Sequence, residues 1–285
     1  MSIMNAQRTV VSTDHFTFTD QDFRSVCELI YARSGISLNS TKHEMVYNRI
    51  GRRLRALGMT TCSDYLAQLA RYPDSDEWEH FTNALTTNLT AFFREYHHFS
   101  VLADLLRRAA AKGSVDLWCS ASSSGEEPYS MAITALQALG AQAAKVHIVA
   151  TDLDTNVLQA AAAGIYPLDR LERLPQGYAK RYFLKGIGRH AGFAKVRDEV
   201  RALVSFRQIN LLDNEWPIRG PLDAIFCRNV MIYFDKPTQR RILQHFHPLL
   251  HAESLLFMGH SESLHNAADL FKLKGNTVYQ PLHDR

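Results

Sequence analysis

Four short polar runs in this chain carry groups that could do chemistry. The first is CSASSSGEEPYS (119–130), which follows the apolar stretch VDLWC where a phosphate loop would follow a first strand. Two carboxylates, Glu126 and Glu127, come directly after its glycine. A loop that cradles a pyrophosphate on a helix N-terminus offers backbone N–H groups and no competing anions. Without a metal, those acids would repel a phosphate. The ligand they favour has no phosphate and a cationic end. Both acids could instead serve a helix N-terminus through its macrodipole, a start that Pro128 also supports. We assign Glu127 to the ligand and Glu126 to the helix.

The second run, KVHIVATD, ends in Asp152, placed to hydrogen-bond ribose hydroxyls. A ribose, no phosphate, an ammonium and a sulfonium together describe S-adenosylmethionine. The third, NALTTNLTAFFRE (83–95), sets Asn88, Thr90 and Arg94 where two kinds of sequence meet, a common place for ligand sites. Asn88 and Thr90 could also be caps for the next helix. The fourth, CRNVMIYF (227–234), brings Arg228 and Asn229 out at the end of a buried strand, with Tyr233 a turn later.

Two blocks of sequence must position these groups. Residues 16–88 read as helices throughout. Phe23, Val26, Leu29 and Ile30 recur at helical spacing before Gly35, and Met45, Ile50, Leu54 and Leu57 before Gly58. From VDLWCSA onward, strands alternate with helices, the grammar of a parallel α/β sheet covered on both faces. The stretch RYFLKGIGRHAGFAKVRDEV interrupts it with strand-like runs around Gly186, Gly188 and Gly192. The predicted fold class is α/β: a Rossmann-like domain (91–285), an N-terminal all-helical domain (16–90) and a small antiparallel β insertion (178–208). Residues 1–15 are polar and expected to be disordered.

Composition narrows the class further. The chain has 285 residues, 46% hydrophobic and 21% charged, enough for a full core. No run spans a bilayer and no apolar signal core opens the chain, so a cytoplasmic protein is expected. Cys27, Cys62, Cys119 and Cys227 are scattered without a CxxC pair, which argues against zinc and a disulfide framework. The net charge of +3 does not by itself imply nucleic acid. It is unevenly placed, however: residues 41–58 hold Lys42, Arg49, Arg52, Arg53 and Arg55 against Glu44 alone.

NALTTNLTAFFRE, SSSGEEPYS, ATDLD, INLL and FCRNVMIYF, in this order and spacing, resemble the CheR family of chemotaxis receptor methyltransferases. The resemblance runs from about Phe16 to Tyr279. It implies transfer of a methyl group from S-adenosylmethionine to glutamate side chains on the cytoplasmic helices of chemoreceptors, leaving S-adenosyl-L-homocysteine. By position, the family's cofactor contacts fall on Asn88, Thr90, Arg94, Glu127, Asp152, Asn210, Leu211, Arg228 and Asn229. Family receptors present glutamate-rich coiled coils, to which Arg49, Arg52 and Arg55 would be a complementary flank. A receptor C-terminal pentapeptide docks on the insertion of members with a glycine-rich form, which Lys185, Gly186, Gly188, Gly192 and Lys195 resemble. The loop carries Ser where the family has a small–Ser–Thr–Gly run, and the hydroxyl is kept.

Glutamate is already an ionised nucleophile at neutral pH, so no general base is required. Arg94 and Tyr233 are the candidates for orienting the reacting groups, and His97, His98 and His260 are read as structural. We expect a monomer with no metal and no membrane insertion. Three alternatives stay open: a methyltransferase for another acceptor, a silent S-adenosylmethionine sensor, and, least suited because GxGxxG is missing, a nicotinamide oxidoreductase.

Overall fold

The computed structural model describes residues 16–283, so the expected disorder of residues 1–15 lies outside the described residues. Among the described residues two compact units emerge, one holding the chain up to Ile30 together with Leu38–Leu85, the other Tyr31–Ser37 together with the chain from Thr86 onward. The chain passes to the second unit at Thr86, so Asn88 and Thr90 belong with the sheet rather than with the expected 16–90 helical domain. Among the described residues, no helix is long and apolar enough to cross a membrane.

The first unit contains most of α1 (Asp20–Ser34), then α2 (His43–Leu57), α3 (Cys62–Arg71) and α4 (Glu77–Leu85). A reciprocal cap starts α1. The Thr19 N–H donates to Asp22 Oδ2 at 2.8 Å, and the Asp22 N–H donates to Thr19 Oγ1 at 3.1 Å. Helix α2 ends at Gly58, whose φ of 67° suits a residue without Cβ. Val46, Ile50 and Leu54 are buried along α2, whereas Leu57, expected inward, is 37% exposed in its last turn. Arg53 pairs with Glu77, which also accepts the Tyr65 hydroxyl at 2.7 Å.

The second unit is built on a seven-stranded sheet. Its strands are β1 (Val115–Cys119), β2 (Val146–Asp152), β6 (Val204–Gln208), β7 (Leu222–Cys227), β8 (Leu250–Met258), β9 (Phe271–Gly275) and β10 (Val278–Pro281). They lie in the order β6-β2-β1-β7-β8-β10-β9. The first five are parallel, with Leu117 beside Ile148 on one side and Ala224 on the other; β10 and β9 are antiparallel. The sheet is therefore mixed, not purely parallel. Strand β9 (FKLKG) was not anticipated: it is an edge strand whose exposed lysines blunt the apolar alternation.

Alternation along the strands gives the sheet two cores. Leu117 and Cys119 face one with Ile148, Ala150 and Phe226, under α5 (His97–Ala110) and α6 (Glu126–Leu139). Trp118, Ile225 and Cys227 face the other, with Ile242 and Phe246 of α10 (Lys236–Phe246). Helix α7 (Thr155–Ala163) follows β2.

The inserted sheet is antiparallel, as expected, but differently bounded. It has the order β3-β5-β4, from β3 (Ile165–Pro167), β4 (Phe183–Lys185) and β5 (Phe193–Val196), with short helices α8 (Tyr178–Tyr182) and α9 (Asp198–Arg201) around it. The stretch 178–208 thus omits β3 and includes β6, which pairs with β2 in the main sheet.

Candidate functional site

The carboxyl ends of β1, β2 and β7 lie side by side, which is where ligands sit in such sheets. The loop after β1 is tied to both neighbours: the Ser120 N–H donates to the Phe226 carbonyl at 2.9 Å, and the Ser122 N–H to the Thr151 carbonyl at 2.8 Å. Gly125, at φ 95°, lies so close to α7 that a Cβ there would sit 2.9 Å from Ala161 Cβ and from the Tyr166 hydroxyl. Only glycine fits that turn.

Asp152 closes β2 against this loop. Its Oδ2 accepts the Ser123 N–H at 2.8 Å and its Oδ1 the Asp154 N–H at 3.0 Å. Burial pushes its carboxyl up to about 6, against the pull of those two donors. An ionised carboxylate is what pairs with two ribose hydroxyls. If Asp152 holds the ribose, as its place at the end of β2 leads us to expect, the proton competes below about 6, and cofactor affinity should fall as pH falls through 6, approaching about tenfold per unit well below. Calorimetric titration of S-adenosyl-L-homocysteine between pH 5 and 8 checks this; a flat profile contradicts it.

Asn88 reaches the same loop through its carbonyl, which accepts the Ser123 hydroxyl at 2.9 Å. Its side-chain amide donates to Asp154 Oδ2 at 2.7 Å, beside the Thr86 hydroxyl at 2.8 Å, while Asp154 Oδ1 caps α7. The Thr90 carbonyl accepts Arg170 Nη1 at 3.2 Å, and the same nitrogen lies 3.5 Å from Glu126. Glu126 also accepts the Ser124 hydroxyl at 2.7 Å, so its carboxylate holds the helix start in place.

Glu127 and Arg228 form the electrostatic centre. Arg228 is 4% exposed; its Nη1 donates to Glu127 Oε2 at 2.5 Å. Its Nη2 donates to the Arg94 carbonyl at 2.6 Å and lies 3.2 Å from Glu95 Oε2. The Cys119 thiol donates to the second Glu127 oxygen at 3.4 Å. Burial raises the Glu127 carboxyl, with Arg228 opposing. Burial would also raise Glu95, but Arg228 and the His260 N–H outweigh it and hold that carboxyl below its ordinary value. His98 is pushed down to about 4 by burial and by Arg228, so it is neutral and pairs through Nε2 with the Asn276 carbonyl at 2.8 Å. Ligand atoms of Glu95, His97 and His98 converge within 4.8 Å. The guanidinium and the N-terminus of α5 already place positive charge there, which opposes a metal cation.

Arg94 is half-buried, with Nη1 donating to the Leu89 carbonyl at 3.1 Å. Asn229 has φ 59°, and its N–H donates to Glu262 Oε2 at 2.9 Å; the Gly259 N–H donates to the same oxygen at 2.6 Å. Glu262 is buried, and a Cβ on Gly259 would lie 2.5 Å from Asn229 Nδ2. Tyr233 follows on a single 3-10 turn (Met231–Tyr233), half-buried, and among the described residues its hydroxyl makes no hydrogen bond. Sequence reasoning missed Glu95 and Glu262. The trace of Glu262 is an acid three positions past the glycine that ends a strand.

Asn210 and Leu211 occupy the loop after β6. Asn210 donates its amide to the Arg33 carbonyl at 2.8 Å and accepts the Leu212 N–H at 3.0 Å; Leu211 is buried. In α2, Arg52 and Arg55 are exposed, while Arg49 is half-buried and donates to the Ala84 carbonyl at 3.3 Å. Lys185 and Lys195 are exposed on β4 and β5. A Cβ on Gly186 would meet the His190 carbonyl oxygen at 2.1 Å, whereas Gly188 (φ 56°) and Gly192 (φ 90°) have open space.

Three polar turns at adjoining strand ends, two of them bearing carboxylates, on a sheet with a terminal antiparallel pair, define a Rossmann-like S-adenosylmethionine-dependent methyltransferase. The comparisons agree. Residues 88–280 match the family "CheR methyltransferase, SAM binding domain" and residues 21–86 "CheR methyltransferase, all-alpha domain". The chain is 52% identical over 273 residues to Chemotaxis protein methyltransferase 2 of Pseudomonas aeruginosa, covering 95% of this chain and 97% of that protein. It is 48% identical over 286 residues to the Chemotaxis protein methyltransferase of Salmonella typhimurium, covering 100% and 99%. The chain belongs to the CheR methyltransferase family.

Proposed function

We propose that this chain methylates glutamate side-chain carboxylates on the cytoplasmic helices of chemoreceptors, giving glutamate methyl esters in chemotactic adaptation. The observation that carries the reading is the buried Glu127–Arg228 pair together with Asp152 at the ends of adjoining strands. Carboxylates there suit a ribose and an ammonium and repel a phosphate. When bound, S-adenosylmethionine supplies an electrophilic methyl group. Asp152 would bind the ribose and Glu127 the amino-acid end, with Asn88, Thr90, Asn210, Leu211, Arg228 and Asn229 completing the pocket. Arg94 and Tyr233 would hold the acceptor carboxylate in line with that methyl, one through a charged fork and the other through a phenol donor. No residue has to remove a proton. Incubation with labelled S-adenosylmethionine and receptor-containing membranes tests the reading. Label released by mild base as methanol supports a carboxyl methyl ester; base-stable label means another acceptor; no label means a silent binding protein.

Receptor recognition would use two further surfaces. Arg52 and Arg55, exposed on α2 with Arg49 beside them, suit a glutamate-rich helix. Arg52→Glu should raise the Michaelis constant for receptor and reduce its salt sensitivity while leaving cofactor affinity unchanged; an unchanged constant returns the arginines to a solvated helix face. The edge strand β4, with Lys185 and the glycine turn to β5, suits addition of a receptor tail pentapeptide as a further strand. A titration with the free peptide that detects no binding removes that surface.

A further inference from the structure

The last turn of α1 and the residues after it, Tyr31–Ser37, belong to the second unit although their neighbours in sequence belong to the first. We propose that this segment is a positioning strap, holding the loop after β6 and the turn after β7 in the arrangement that binds the cofactor. Three hydrogen bonds join them. The Ser37 N–H donates to the Tyr233 carbonyl at 2.8 Å. The Arg33 carbonyl accepts the Asn210 amide at 2.8 Å. The Tyr31 hydroxyl donates to Asp235 Oδ2 at 2.7 Å, at the cap of α10. Between these, Gly35 stands at φ 69°, and a Cβ there would come within 2.9 Å of the Leu212 side chain.

The two loops come from different crossovers of the sheet, and each carries residues of the proposed site: Asn210 and Leu211 on one, Asn229 and Tyr233 on the other. The strap bonds to both through its main chain. Its path depends on a left-handed residue at Gly35, and Ser34 and Ile36 beside it are buried. A side chain at position 35 would be strained by φ and would displace Leu212, moving the loop next to Leu211. Tyr31, Gly35 and Ser37 are thus positioning residues that touch no reacting atom.

The inference rests on the reading that these loops contact the cofactor, and its test uses no methyl acceptor. S-adenosyl-L-homocysteine is titrated calorimetrically into the full chain well below its melting temperature. Gly35→Val should weaken binding by about tenfold or more. Tyr31→Phe and Leu212→Ala, which loosen the strap without backbone strain, should each weaken it by roughly two- to fivefold. A purely structural role would lower the melting temperature and leave the affinity of the folded protein unchanged. That outcome in Tyr31→Phe and Leu212→Ala overturns the strap even if Gly35→Val does not fold. Loss of the glutamate reading in the base-release assay would leave this measurement standing, and the reverse also holds.

Discussion

Arg228→Ala is expected to cost the second unit about 3–5 kcal/mol of stability and, by disrupting the proposed cofactor pocket, to abolish cofactor binding. Those magnitudes follow from leaving buried carboxylates without their counter-ion. Glu127 and Glu95 both face this guanidinium, and the Arg94 carbonyl takes another of its protons. Arg228→Lys fails as well, because one ammonium cannot reproduce a planar fork. The orphaned acids supply a pH signature. In the variant their folded-state values rise above the unfolded ones, so the folded form takes up protons and the deficit shrinks as pH falls from 7 towards 5. Urea unfolding at the two pH values measures this. A variant as stable as the parent at pH 7 would show that the cluster is not held by charge.

Arg94→Ala is expected to lower turnover by about 10²–10³-fold while the dissociation constant for S-adenosyl-L-homocysteine changes by no more than about threefold. The first range is what removal of one oriented charged or polar donor costs where reacting groups must be aligned. The second follows from the geometry: the link from Arg94 to the Glu127–Arg228 centre runs through its carbonyl, which alanine keeps. Its side chain, which donates to the Leu89 carbonyl, is the part that would meet an acceptor carboxylate in the proposed reaction. Single-turnover kinetics with receptor membranes, beside calorimetry, separates the two quantities. A change in affinity alone would make Arg94 a cofactor ligand with no part in orienting the acceptor.

Much of this was legible before any coordinates. Short apolar runs closing at Cys119, Asp152 and Cys227 mark β1, β2 and β7, so the polar residues after them had to emerge at one edge of the sheet. What stayed hidden involves partners far apart in sequence. Nothing local to Asn210 says that its amide meets the Arg33 carbonyl. Nothing local to Glu262 says that it receives the Asn229 N–H. Leu57 fits the apolar spacing of α2, yet lies in the last turn and is 37% exposed. Strand β9 escaped notice because an edge strand needs only one buried residue, Phe271, to belong to a sheet.

The double duty of Asp154 bears on how substitutions here are interpreted. One of its oxygens starts α7 and the other receives Asn88 and Thr86, so the segment after α4 and the helix after β2 share a single carboxylate. A mutational scan scored on ligand affinity would flag Asn88 as a contact. Its amide, besides its place in the proposed pocket, would be reporting the integrity of a frame. Such positions betray themselves by epistasis: Asn88→Ala and Asp154→Ala should cost together little more than either does alone, whereas two true ligand contacts would add.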